Sequence, residues 1–114
     1  MTEFYEQVKE RLMRYARINT ESDPHSTSVP TTSCQHDLAS VIYEELQEIG
    51  ATNVYYDKDT CVVYGSLEAN VKTGRAIGFV THMDTAPDAS GKDVKPWVLE
   101  NYDGNDIILN KEKN

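Results

Sequence analysis

Apolar residues return every three or four positions at the start of the chain. Tyr5, Val8, Leu12, Tyr15 and Ile18 share one stripe while Glu6, Lys9, Glu10 and Arg14 fill the opposite side, which predicts an amphipathic helix over 3–18. Residues 19–33 gather Thr, Ser, Asp and Asn with Pro24 and Pro30, and the two prolines deny both helix periodicity and ladder donors. That segment reads as an exposed loop. Thr32 and Gln35 stand at capping-box spacing, and Leu38, Val41, Ile42, Leu46 and Ile49 then repeat at helical intervals until Gly50 offers a left-handed exit, so a second helix is expected over roughly 33–49.

The period then changes from helix to strand. Residues 53–56 and 61–67 are rich in β-branched and aromatic side chains and flank a turn through Asp57, Lys58 and Asp59, the pattern of a hairpin. Residues 76–80, Ala-Ile-Gly-Phe-Val, are continuously apolar, as expected of a strand covered on both faces of a sheet. Beyond Ala86 the chain turns loop-like, with short possible strands at 94–99 and 107–109 between Pro87, Gly91, Pro96 and Gly104. Its closing stretch, 111–114, supplies no element to cover the sheet, although a parallel strand ordinarily needs a crossover helix after it. The order helix, helix, hairpin, buried strand therefore predicts an α/β layer with a mixed sheet, cut short.

Composition narrows the function classes. A chain of 114 residues is one small domain, too short to hold a catalytic domain and a separate substrate domain. Eleven Lys+Arg against 19 Asp+Glu give a net charge of −8, which repels phosphate backbones and anionic lipid, so neither nucleic acid nor membrane is an expected partner. Apolar runs stay far short of the roughly 20 residues that a membrane helix needs, and Met1-Thr2-Glu3 carries an acid instead of a basic signal region, which predicts a soluble cytoplasmic protein. Cys34 and Cys61 are too few and too far apart for a disulfide scaffold, so reduced thiols are expected.

The sharpest chemical feature is Thr81-His82-Met83-Asp84-Thr85, immediately after the apolar run, where ligands bind in open α/β sheets. With period-two geometry His82 and Asp84 point the same way, so the carboxylate can orient the imidazole and raise its basicity towards a metal. By itself this pattern equally describes a strand-end histidine satisfied by a neighbouring acid. Other candidates fit less well. His25 sits in the Ser/Pro loop, and Cys34 with His36 lacks the second ligand pair of a zinc finger. Gly91-Lys92 is followed by Asp93 in place of the Ser or Thr of a phosphate loop, and Asp103 and Asn105 are followed by Ile107-Ile108 where a calcium loop needs a third oxygen ligand and then Gly. Glu100, Asp103 and Asp106 have no metal spacing and read as solvated or structural acids.

Residues 76–88 with Ser90-Gly91-Lys92 resemble the first metal-binding motif of peptidase T, the family of tripeptide aminopeptidases. The similarity continues from Val98 through Ile107, with echoes at Val29-Pro30-Thr31-Thr32, at Gln35 and at 46–50, so essentially the whole chain aligns. The resemblance implies that residues 1–114 are an N-terminal fragment of a zinc-exopeptidase catalytic domain, without the lid domain through which such enzymes dimerise. It further implies a dizinc enzyme that releases the N-terminal residue from short peptides, with His82 a zinc ligand and Asp84 the catalytic-site aspartate that holds it.

The family's bridging Asp, its Glu pair, its further carboxylate and its distant His find no match here. A catalytic zinc needs about three protein ligands and a water, so these residues alone are expected to be inactive towards peptides. A sheet left uncovered should also self-associate through its open edge. The competing reading is a stand-alone non-catalytic α/β module or gene remnant using that edge for interaction; continuation of the reading frame into acidic metal motifs would separate the two.

Overall fold

A computed structural model describes residues 2–72 and 74–109. Four elements follow one another: helix α1 (Thr2–Tyr15), helix α2 (Gln35–Glu48), strand β1 (Thr52–Asp57) and strand β2 (Val62–Ser66). This is a small α/β unit of two helices and a two-stranded antiparallel sheet.

α2 and the hairpin make the core. The apolar repeat expected of the second helix puts Leu38 and Ala39 inside at 6% and 0% exposure, against Cys61 at 5% from the hairpin turn. Gly65 of β2 lies beneath α2: a Cβ there would stand 3.3 Å from Leu46 Cδ1 and 3.6 Å from Ala51 Cβ, so a small residue sets how closely helix and strand approach. The helix ends where Gly50 takes a φ of +81°, and the amides of Ile49, Gly50 and Ala51 return to the carbonyls of Glu45, Gln47 and Leu46. At its other end the expected capping box does not form. The helix starts at Gln35 with Cys34 as the cap and no side-chain cap bond; the Thr32 hydroxyl donates instead to the Glu21 carbonyl, and Gln35 Nε2 donates to Thr31 and Thr32. Tertiary bonding to the preceding loop outcompetes the local motif.

The hairpin pairs Tyr55 with Tyr64, Tyr56 with Val63 and Asp57 with Val62, with an irregularity between Thr52 and Tyr55 where Asn53 adopts a φ of 51°. Tyr55 and Tyr64 stack across the strands at 6.3 Å between ring centroids. The turn is organised by Asp57, whose carboxylate accepts from the Thr60 hydroxyl at 2.7 Å and from the amides of Asp59 and Thr60. The Thr60 hydroxyl foremost, then these amides, hold the Asp57 carboxyl below its ordinary range. A carboxyl depressed by folding stabilises the folded state fully above its unfolded pKa, about 4. That contribution disappears as pH falls through the lowered folded value. Protection of the Thr60 amide, the slowing of its exchange relative to the intrinsic rate, should therefore stay constant above about pH 5, beyond the unfolded pKa, and fall in acid; Asp57→Ala should remove that acid dependence.

Inside the hairpin, burial pushes both the Cys61 thiol and the Tyr56 phenol above their ordinary values. Tyr56 OH also meets His36 Nδ1. Cys34 and Cys61 are both free thiols.

α1 forms where its periodicity predicts, slightly shorter, with 16–18 continuing as turns. Its apolar stripe is not covered: Tyr5, Val8 and Leu12 are 60%, 46% and 66% exposed. What ties it to α2 is polar, as Arg14 Nη2 and the Tyr15 hydroxyl both donate to the carboxylate of Glu45, itself 8% exposed.

Among the described residues the sheet consists of two antiparallel strands, and the mixed sheet expected is not seen there. Residues 76–80 make no ladder, and Ile77, Phe79 and Val80 stand 83%, 92% and 101% exposed; the possible strands at 94–99 and 107–109 are likewise absent. An apolar run becomes a strand only by pairing, and no strand among the described residues lies alongside it. The parallel component reduces to one isolated bridge between Glu21 and Thr85. The closing stretch 111–114 lies outside the described residues.

Candidate functional site

The Glu21–Thr85 bridge fixes the place of the His-x-Asp segment. The Thr85 amide donates to the Thr20 carbonyl at 3.1 Å, and the Thr85 carbonyl accepts from the Ser22 amide at 2.9 Å and from its hydroxyl at 3.1 Å. Six residues on, the Gly91 amide donates to Glu21 Oε2 at 3.0 Å. The approach is close at 91: a Cβ there would stand 2.8 Å from Asn19 Oδ1 and 3.2 Å from Thr85 Oγ1, so a larger residue would have to displace these two side chains. The loop of 19–33 is thus a docking strip for the segment after Asp84, with Thr20 buried at 2% exposure. Sequence reasoning expected an exposed connector, since no periodicity announces a lone bridge.

Just before this clasp, His82 and Asp84 meet. His82 Nδ1 lies 3.1 Å from Asp84 Oδ1 and 2.9 Å from the Asp84 carbonyl oxygen. Both partners are acceptors, so they select the tautomer that carries the proton on Nδ1, and the Nε2 lone pair faces outward from a side chain that is 83% exposed. Asp84 is less open, at 40%. An imidazole braced in this way is chemically suited to donate to a cation through Nε2. The two residues that sequence spacing singled out are brought into contact.

Asp84 also lines a cleft of about 410 Å³. Its other walls come from Ser22, Asp23, Pro24, Ser28, Val29, Pro30, Thr31 and Gln35, together with Thr60 from the hairpin turn. These hydroxyl and amide groups were not foreseen as part of a site; the sole hint was the loop motif from Val29 to Thr32. The other candidates are engaged locally. The His25 amide donates to Asp23 Oδ1, Cys34 Sγ reaches the Glu21 carbonyl, and Asp103 accepts from the amide and side chain of Asn105, which lowers its pKa. Glu100 and Asp106 are exposed. Among the described residues no three His, Cys, Asp or Glu side chains are grouped to hold a metal.

Fold and site together define an α/β segment that presents one acid-braced imidazole beside a polar cleft. No family model matches the chain. It is similar to Peptidase T of Alkaliphilus oremlandii, with 48% identity over 108 residues, 92% of this chain and 26% of that protein. Peptidase T of Clostridium acetobutylicum is 48% identical over 110 residues, 96% of this chain and 27% of that protein, and that of Fusobacterium nucleatum is 42% identical over 111 residues, 96% and 26%. The resemblance to peptidase T is borne out across nearly the whole chain, which spans about a quarter of the length of these curated relatives.

Proposed function

We propose that this chain is the N-terminal portion of the catalytic domain of a zinc-dependent tripeptide aminopeptidase, in which His82 is a ligand to one of two zinc ions and Asp84 the catalytic-site aspartate that holds it. The observation that carries the reading is the pair of bonds from His82 Nδ1 to Asp84, which leaves Nε2 free and exposed. These donors suit zinc, which takes neutral imidazole nitrogen and favours a carboxylate behind it. When bound, zinc supplies the Lewis acidity that acidifies a water and polarises a scissile carbonyl. The chain's own residues orient the imidazole, keep its proton on Nδ1 and wall one side of a cleft in which the polar backbone of a short peptide can lie.

One recognised ligand does not hold two metals, so the 114 residues alone are inactive on tripeptides in this reading. The exposed apolar run at 76–80 and the open hairpin edges make self-association the expected behaviour at high concentration. The net charge of −8 disfavours nucleic acid and anionic membranes as partners. No described helix is long and apolar enough to cross a membrane, and the proposed location is the cytoplasm.

The test is a zinc titration of the chain followed by ¹⁵N NMR of its three histidines. His82 Nε2 is expected to shift first, with His25 and His36 following only at higher zinc. Perturbation of His25 or His36 with His82 untouched refutes the ligand assignment, and release of the N-terminal residue from a tripeptide by the purified chain refutes the claim of inactivity.

A further inference from the structure

We infer that the cleft beside Asp84 holds the free ammonium group of a short peptide, with Asp23 as its anchor, an inference that rests on the peptidase reading and deepens it. Among the described residues the wall of this cleft of about 410 Å³ carries two acids, Asp23 and Asp84, and no Lys, Arg or His. Its side-chain donors are already committed elsewhere. The Ser22 hydroxyl donates to the Thr85 carbonyl at 3.1 Å, that of Ser28 to the Pro30 carbonyl at 2.9 Å and that of Thr60 to Asp57 Oδ2 at 2.7 Å. Gln35 Nε2 donates to the hydroxyls of Thr31 and Thr32, both at 3.1 Å. Only the Thr31 hydroxyl, which accepts from Gln35 and from the Asp23 amide, has no acceptor of its own among the described residues. What the wall keeps for an occupant is therefore mostly oxygen lone pairs and negative charge, which match a cationic donor and repel a carboxylate.

Asp23 is the acid with an oxygen to spare. Its Oδ1 accepts the His25 amide at 2.9 Å and its own amide donates to Thr31 Oγ1 at 3.1 Å, so backbone and side chain are both held, while Oδ2 has no hydrogen-bond partner among the described residues. Asp84 has already given Oδ1 to His82. An ammonium group brings three N–H donors, and one of them on Asp23 Oδ2 makes a charge-assisted hydrogen bond. The half-buried setting of Asp23 limits its screening by solvent. The same wall includes Pro24, Val29 and Pro30, apolar surface that suits the side chain next to a peptide's amine and has nothing to offer a hydrated inorganic cation. Because Asp84 belongs to this wall, an amine held there stands beside the His82–Asp84 pair, as an enzyme that removes the first residue requires.

The experiment follows the backbone amides of Asp23, Ser28, Thr31 and Thr60 by NMR in the metal-free chain at about pH 6.5, where a peptide amine with its ordinary pKa of about 8 is charged. Trialanine, N-acetyl-trialanine and calcium chloride are titrated separately into wild type and Asp23→Asn. Trialanine is expected to move these amides saturably in wild type, and the acetylated peptide to bind at least about tenfold more weakly. Asp23→Asn keeps the Oδ1 acceptor for the His25 amide and loses the charge, so it should weaken trialanine about tenfold and leave the acetylated peptide unchanged. The amide shifts of α2, β1 and β2 check its fold; should they change, the comparison of free and acetylated peptide in wild type decides alone. Equal binding of the two peptides, no saturable shift with trialanine, or a response to calcium without one to trialanine overturns the inference. Because no zinc is present, the outcome is separate from the zinc titration: if zinc leaves His82 untouched the ligand assignment falls while the amine site is still judged, and if the acetylated peptide binds as well as the free one only the amine site falls.

Discussion

His82→Ala, placed in an enzyme of the relatives' full length that carries these residues, is expected to lose bound zinc and tripeptide hydrolysis together. The substitution removes the nitrogen whose lone pair faces outward, and nothing grouped around it among the described residues can take its place. Asp84→Asn should behave differently. His82 Nδ1 has two acceptors on residue 84, the carboxylate at 3.1 Å and the backbone carbonyl at 2.9 Å, and the carbonyl survives the change. The tautomer is therefore largely kept while the negative charge behind the ring is lost, so the metal is retained with an affinity or activity about 10- to 100-fold lower. Metal content after dialysis and kcat/KM for a tripeptide, measured on the same preparations, separate the two variants. Wild-type zinc and rate in both would remove the site from these residues.

This pair was legible in the sequence because its geometry is local. Two residues on alternate positions of an extended segment face one way whatever the rest of the molecule does, and His82 and Asp84 meet although the run before them forms no strand. α2 and the hairpin were legible for the same reason: their signals, the helical repeat from Leu38 to Ile49, the exit at Gly50 and the Asp57 turn, are short-range and agree with one another. The failures are of another kind. Residues 76–80 carry the composition of a buried strand, but burial depends on neighbours distant in sequence, and the described residues provide none. The Thr32–Gln35 spacing matched a local cap, yet Thr32 found a stronger acceptor in Glu21, eleven residues away. The cleft beside Asp84 was hidden likewise, since Asp84 reaches the loop walls Ser22 and Thr31 only through the bridge at Thr85, far from them in sequence.

Glu45→Ala is expected to be among the more destabilising single substitutions in the described fold. A glutamate on an amphipathic helix ordinarily points to water, but Glu45 is 8% exposed, and its two oxygens receive Arg14 Nη2 and the Tyr15 hydroxyl while Arg11 Nε stands 3.4 Å away. Since the apolar face of α1 remains largely open, with Phe4 at 74% and Leu12 at 66%, this carboxylate is the principal link between the two helices. A hydrogen bond to a charged group contributes about 1.5–3 kcal/mol. Arg11 and Arg14 are 40% and 50% exposed, so water screens their share and the pair falls towards the lower end. A net loss of about 2 kcal/mol is expected for Glu45→Ala, and about 1 kcal/mol for Glu45→Gln, which keeps one acceptor oxygen but gives up the second oxygen and the charge. Urea unfolding followed by circular dichroism measures both. Proteolysis near Arg17 should quicken in the alanine variant as α1 detaches, because cleavage follows the population of the locally opened form. A Glu45→Ala midpoint equal to wild type, with Arg17 no more readily cut, would mean that the exposed stripe of α1 is held by something other than this carboxylate.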